Sequence, residues 1–212
     1  MPDITVRRIA VEPLERVAFE PFGVIIDAGA FEDETLNRAP GQMAFLWVLK
    51  QLEFPKPPYV AGSRYLYRGA RCDYLQQHPE STAVLVPLDG RPSVVFVAPD
   101  RDGSPDLDAA RAFLLDGRRG IVFHRGAWVR YAYPVLDMAD YAYVSARVDP
   151  TEDIRHVYIE RDHGTVLEWF FGPPAGEGVE LSPGGAVLGL PRRVPEGFEI
   201  GVGGRISRVV KD

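Results

Sequence analysis

The chain contains a single cysteine, Cys72, so no disulfide can form within it and no zinc site can be built on paired thiolates. It has no dense basic run, and Lys plus Arg number 24 against 30 Asp plus Glu, a formal net charge of −6. That balance argues against nucleic acid as a partner, because binding a phosphate backbone needs clustered cations. No eighteen uncharged apolar residues follow one another, so a membrane-spanning helix is not expected. The opening residues MPDITVRRIAVEPLERVAFEPFG scatter their charges and offer no apolar stretch of signal length, and the expectation is a soluble, cytoplasmic protein. Internal repeats are absent too. Only four histidines are available, which leaves little material for an imidazole-rich metal centre.

What is present is the pattern of a β protein. Hydrophobic residues at 46 % and charged residues at 25 % are ordinary globular usage, and 212 residues suit one all-β core. Short apolar or alternating runs recur between turn signals: 43–49, 83–88, 93–98, 121–123, 128–133, 141–144, 156–159 and 166–171. Between them lie reversals such as Pro55-Lys56-Pro57-Pro58, Asp89-Gly90-Arg91-Pro92 and the 100–105 segment. One helix is predicted after Pro105, with Asp106 as N-cap, Leu107, Ala110, Phe113 and Leu114 at helical spacing, and Gly117 as terminator. From Gly172 to Gly204 the chain is rich in Gly and Pro yet keeps Val179, Leu181, Val187, Leu188, Leu190, Phe198 and Ile200, and irregular strands packed over the barrel are expected there. Residues 1–160 are read as the barrel, and 161–212 as an extension on the same domain.

Ordered motifs run from Leu75 to Trp128: His78-Pro79, Thr82, Pro87-Leu88, Gly90, a Val-rich strand over 94–98, Pro105-Asp106, Arg111-Ala112-Phe113, Gly117, Gly120, His124-Arg125 and Trp128. In this order and spacing the chain resembles the ureidoglycolate lyase family, with weaker similarity back through Phe22-Gly23 and Asn37 and forward to about Ile159. The resemblance implies a cupin-like antiparallel β-barrel or jelly roll with one or two short helices, usually a homodimer. It also implies an elimination that converts ureidoglycolate to glyoxylate and urea.

The family's polar positions are altered here. Its acidic residue two before the His is Gln76, its Gln ahead of the Ala-Phe pair is Ala83, and its His-His after the Trp is Val129-Arg130. These are also the places where a metal-holding cupin barrel carries ligands, since alternate residues of a strand face one side and a facing strand completes the set. A methyl and an isopropyl group cannot coordinate an ion, and a Gln carbonyl is a weak neutral donor, so neither metal nor other cofactor is expected.

The candidate catalytic residues are therefore His78, as acid or base, and Tyr131 or Tyr133, as proton donor. By strand parity the two tyrosines face inward with Val129, and Tyr74 joins Gln76 and His78 on the opposite wall. Tyr74, Gln76, Arg71, Arg130, His124 and Arg125 are the substrate-binding candidates, with Arg71 or Arg130 as a carboxylate clamp. Plainer readings stand beside these. His78 reads equally as a hydrogen-bonded core histidine, the tyrosines as barrel filling, Arg125 as a tie for turn carbonyls and Arg130 as a solvent-facing side chain. The functional expectation is a metal-independent lyase, isomerase or cyclase for a small carboxylate-bearing molecule. Its rivals are a conventional ureidoglycolate lyase and a cupin that binds a small molecule without catalysis.

Overall fold

The computed structural model describes residues 4–27, 49–146 and 154–172, together with the backbone of 198–201 and 205–208. The expected strand at 43–49 and most of the Gly/Pro-rich tail lie outside the described residues. The strands are β1 (Thr5–Pro13), β2 (Gly23–Ile26), β3 (Pro58–Leu66), β4 (Arg71–Cys72), β5 (Tyr74–Gln77), β6 (Ala83–Pro87), β7 (Ser93–Ala98), β8 (Asp100–Arg101), β9 (Ser104–Pro105), β10 (Arg111–Leu115), β11 (Gly120–Phe123), β12 (Trp128–Pro134), β13 (Met138–Ala146), β14 (Arg155–Tyr158), β15 (Thr165–Phe170), β16 (Phe198–Gly201) and β17 (Arg205–Arg208). Two short helices, α1 (Arg16–Phe19) and α2 (Ile159–His163), accompany them.

Two sheets carry the architecture. The larger runs β14-β5-β12-β7-β10-β1-β15-β4 and the smaller β2-β11-β6-β13-β3. Pairing is antiparallel throughout both except at β1, which lies parallel to β10 along one half and to β15 along the other. Strand β15, beyond residue 160, is thus a full member of the larger sheet.

The larger sheet separates two cores, which is why its central strands are apolar on both faces. In β7, Val95 and Val97 pack between the two sheets, whereas Val94, Phe96 and Ala98 point the other way. Strand β10 does the same with Phe113 and Leu115 against Ala112 and Leu114. The second core also holds Leu75, Trp128, Leu167 and Trp169, and the sheet curls around it. Its two ends nearly meet, because β4 and β5 stand at opposite sides of the strand order but are joined in the chain by one residue, Asp73.

The helix predicted after Pro105 is replaced by a strand. Asp106 does cap, accepting hydrogen bonds from the amides of Asp108 and Ala109, but the 3-10 turn it starts ends at Ala109. Arg111–Leu115 then pairs with both β7 and β1. A strand buried on both faces reads as an unbroken apolar run, so its spacing fits a helix equally well until its neighbours are known. Gly117 serves a turn instead: its φ is +79°, and a Cβ there would lie 2.3 Å from the Gly90 carbonyl.

Candidate functional site

Side chains of the larger sheet that face the smaller one form the inner wall. The register pairs Val129 with Gln76, so both project to this side, and Ala83 joins them from β6. Val129 and Ala83 are packed into the core at 1 % and 2 % exposure. The groups beside them are polar. His78 is 5 % exposed, and the Gln76 side-chain amide donates to His78 Nε2 at 3.1 Å, an arrangement that holds a neutral imidazole with its proton on Nδ1. The His78 carbonyl in turn accepts from the Gly126 amide at 2.8 Å, which fixes the strand end against the 124–127 turn.

Tyr131 closes this group. Its ring stacks on His78 with centroids 6.4 Å apart and planes at 28°, and its hydroxyl shares a hydrogen bond of 3.2 Å with the Tyr143 hydroxyl. Burial, reinforced by Tyr143, pushes the Tyr131 phenol well above the ordinary tyrosine range, so the group keeps its proton through physiological pH. Burial raises Tyr143 and Tyr65 as well. Gln76, His78, Tyr131 and Tyr143 therefore form one continuous cluster of imidazole, amide and neutral phenols on the inner wall.

Tyr133 is elsewhere. Between Arg130 and Tyr133 the pairing of β12 with β7 slips by a β-bulge. Tyr131 and Ala132 both stay with the inter-sheet core, whereas Tyr133 turns into the second core beside Phe96. The expectation that Tyr131 and Tyr133 share a face by simple alternation is corrected by this extra residue. Arg68 binds the two carbonyls at the bulge, donating to Tyr131 at 3.0 Å and to Ala132 at 3.3 Å, with its guanidinium 4.1 Å from the Tyr133 ring centroid.

Arg130 is buried rather than facing solvent. It pairs with Asp73 through Nε at 2.8 Å and Nη2 at 3.2 Å, and its guanidinium lies 3.9 Å from the centroid of Tyr74. Tyr133 completes the arrangement by donating its hydroxyl to Asp73 at 2.9 Å. Partial burial opposes ionisation of Asp73, but the Arg130 guanidinium and the Tyr133 hydroxyl outweigh it and hold the carboxyl at about 2. Arg130 stays fully charged, since burial works against its charge and the bond to Asp73 overcomes that.

The remaining candidates stand apart from His78. Arg71 is exposed on β4 and faces Glu168 at 3.5 Å. His124 donates from Nε2 to the Glu20 carbonyl at 3.0 Å, and Arg125 is exposed and meets Glu53 at 3.5 Å. Two participants were not singled out in the sequence: Tyr143 and Asp73. Tyr143 lies in an alternating run two residues after Tyr141, a signal that would have placed it on an inner face. Asp73 carries no such signal, because only closure of the sheet brings it to Arg130.

The family model for ureidoglycolate lyase matches residues 6–166. The chain belongs to the ureidoglycolate lyase family. Curated ureidoglycolate lyases similar to it include one from Pseudomonas savastanoi pv. phaseolicola, 28 % identical over 145 residues that span 61 % of this chain and 76 % of the relative. Others come from Pseudomonas syringae pv. tomato, 25 % identical with 76 % of this chain and 96 % of the relative covered, and from Pseudomonas aeruginosa, 33 % identical with 61 % and 76 % covered. Among solved structures, a dTDP-6-deoxy-D-glucose-3,5-epimerase from Legionella pneumophila is similar at 24 % identity, with a TM-score of 0.38, covering 59 % of this chain and 64 % of that one. Among the described residues, the fold of this ureidoglycolate lyase family member is mainly β, two sheets with two short helices. Among the described residues no group of three or more His, Cys, Asp or Glu side chains is placed to hold a metal.

Proposed function

We propose that this chain is a cupin-type lyase that works by acid/base chemistry on a small carboxylate bearing a hydroxyl and a nitrogen leaving group on one carbon, ureidoglycolate being the first candidate. The observation that carries the reading is the inner-wall cluster, in which a neutral imidazole held by Gln76 stacks on the buried phenol of Tyr131. Once the Gln76 amide yields Nε2 to the substrate hydroxyl, His78 is a proton acceptor beside the Tyr131 donor, and an elimination of this kind requires both. His78 takes the hydroxyl proton as the carbon–oxygen bond becomes a carbonyl. The carbon–nitrogen pair leaves with the urea nitrogen, which takes a proton from Tyr131. The proton gained by His78 and the one lost by Tyr131 balance, and exchange with water resets both. Arg130, with two of its nitrogens engaged by Asp73 and its charge secured, anchors the carboxylate.

In this reading the chain acts without a metal, because Ala83 and Val129 offer no donor atoms, and as a cytoplasmic homodimer. Metal analysis and sedimentation of the purified protein check those two points. The central test is glyoxylate release from ureidoglycolate by the wild type and by His78→Ala. Product from the wild type and a loss of about a hundredfold or more in the variant are expected. No glyoxylate at high enzyme concentration would remove ureidoglycolate as substrate, and full activity in the variant would remove His78 as the base.

A further inference from the structure

Between Arg130, which pairs with Phe96, and Tyr133, which pairs with Val94, β12 carries two residues where β7 carries one. Neither Tyr131 nor Ala132 has a partner in that register, and the register of β12 with β5 covers only Trp128 and Val129. Both bulge residues are buried, at 5 % and 0 % exposure, so their carbonyls need a donor from outside the ladder. Arg68 supplies it. Its Nη2 donates to the Tyr131 carbonyl at 3.0 Å and to the Ala132 carbonyl at 3.3 Å. Its guanidinium also lies 4.1 Å from the Tyr133 ring centroid, so one side chain touches all three residues at which β12 changes direction.

The link that presents Arg68 is fastened on both sides. The Tyr67 amide donates to the Asp137 carbonyl at 2.8 Å, and the Ala70 carbonyl accepts from the Trp169 amide at 3.1 Å. Gly69, with a φ of +85°, makes the turn between them. Arg68 therefore acts from a fixed base, and a charged donor holds a carbonyl more strongly than a neutral one. What it holds matters most at Tyr131, whose ring stacks on His78 and whose hydroxyl meets that of Tyr143. A phenol is placed no better than the backbone that carries it, and a misplacement of about 1 Å at a reacting group can cost about a hundredfold in rate. We infer that Arg68 is a positioning residue, which clamps the bulge and so sets the place of the Tyr131 phenol beside His78 for proton delivery to the leaving nitrogen. This rests on the acid/base reading for the use of the phenol, but not for its placement.

The test compares Arg68→Met, which keeps the stem over Tyr133 and removes the donors, with Arg68→Lys, which reaches a single carbonyl. The imidazole C–H signals of His78 in the full chain, assigned from the spectrum of His78→Ala, read the ring current of Tyr131 by NMR, and Tyr131→Ala shows where they fall without it. Arg68→Met should move them most of the way toward their positions in Tyr131→Ala, and Arg68→Lys part of the way, while the His163 signals stay in place. With ureidoglycolate, kcat of Arg68→Met should fall about tenfold at little changed KM, because the donor is displaced and the binding groups remain. A merely structural role would lower the melting temperature and leave the His78 signals and kcat of the folded protein where they are, a result that overturns the inference. Should Arg68→Met not fold, unmoved His78 signals in Arg68→Lys overturn it instead. The NMR reading needs no turnover, so absence of glyoxylate from the wild type removes the proposed reaction and leaves the clamp to be judged on His78 alone.

Discussion

Asp73 and Arg130 join across the seam where the larger sheet closes, the carboxylate from the one-residue link between β4 and β5 and the guanidinium from β12, with two hydrogen bonds of 2.8 and 3.2 Å. The pair is lopsided, since the Arg130 side chain is 8 % exposed and that of Asp73 52 %. Removing the carboxylate therefore strands a buried cation, whereas removing the arginine frees a carboxylate that water already reaches.

Asp73→Asn should accordingly destabilise the fold by about 2 kcal/mol at neutral pH, less than a fully buried pair because water screens half of it. The depressed Asp73 carboxyl stabilises the fold at pH above its unfolded value near 3.8, and this contribution is lost as pH falls through about 2. Urea unfolding of both proteins should show the gap between them shrinking from pH 5 toward pH 2. A gap constant across that range would mean the ion pair is not its source.

Tyr131→Phe should leave the fold intact, since only a hydroxyl is removed from a half-shared bond with Tyr143. If Tyr131 protonates the leaving nitrogen, turnover of any accepted substrate falls about a hundredfold with little change in KM. Tyr133→Phe, which breaks the bond to Asp73 instead, should lower thermal stability and spare the chemical step. Reversal of these two patterns in steady-state kinetics and melting curves would exchange their roles.

Cys72 is 3 % exposed, and burial pushes its thiol up to about 12. Its thiolate is therefore scarce at pH 8, and alkylation by iodoacetamide should be slow in the native protein and immediate in denaturant. Rapid labelling of the folded chain, read by mass spectrometry, would show that the seam beside Asp73 opens.

Gly117→Ala should cost about 2 kcal/mol or more, because the new methyl meets the Gly90 carbonyl in addition to the left-handed backbone. Gly69→Ala shares the positive φ, at +85°, but has nothing within 4 Å of its Cβ, so about 1 kcal/mol is expected. The difference between the two denaturation midpoints isolates the steric part.

Much of the fold was legible in the chain. The runs 83–88, 93–98, 121–123 and 128–133 appear as β6, β7, β11 and β12 within a residue or two, and 141–144 lies inside the longer β13, because short apolar or alternating runs between turn residues are a local property. The segment 107–115 was misread because burial on both faces erases the alternation that distinguishes strand from helix. At the site, counting along strands brought Gln76, Ala83 and Val129 to one face but failed beyond Arg130, where one bulged residue reversed the direction of Tyr133.

Residue order alone determined the β class, the family motifs and the replacement of donor atoms by Ala83 and Val129, because each depends on side-chain chemistry or on near-neighbour periodicity. Folding in three dimensions decided which phenol stands beside His78, that Arg130 is buried against Asp73, and that His156 lies opposite Gln76. Those contacts join positions 57 and 80 residues apart in the last two cases, across a bulge and a closing seam. No local pattern encodes them, since strand register and sheet closure are set by the packing of the whole core.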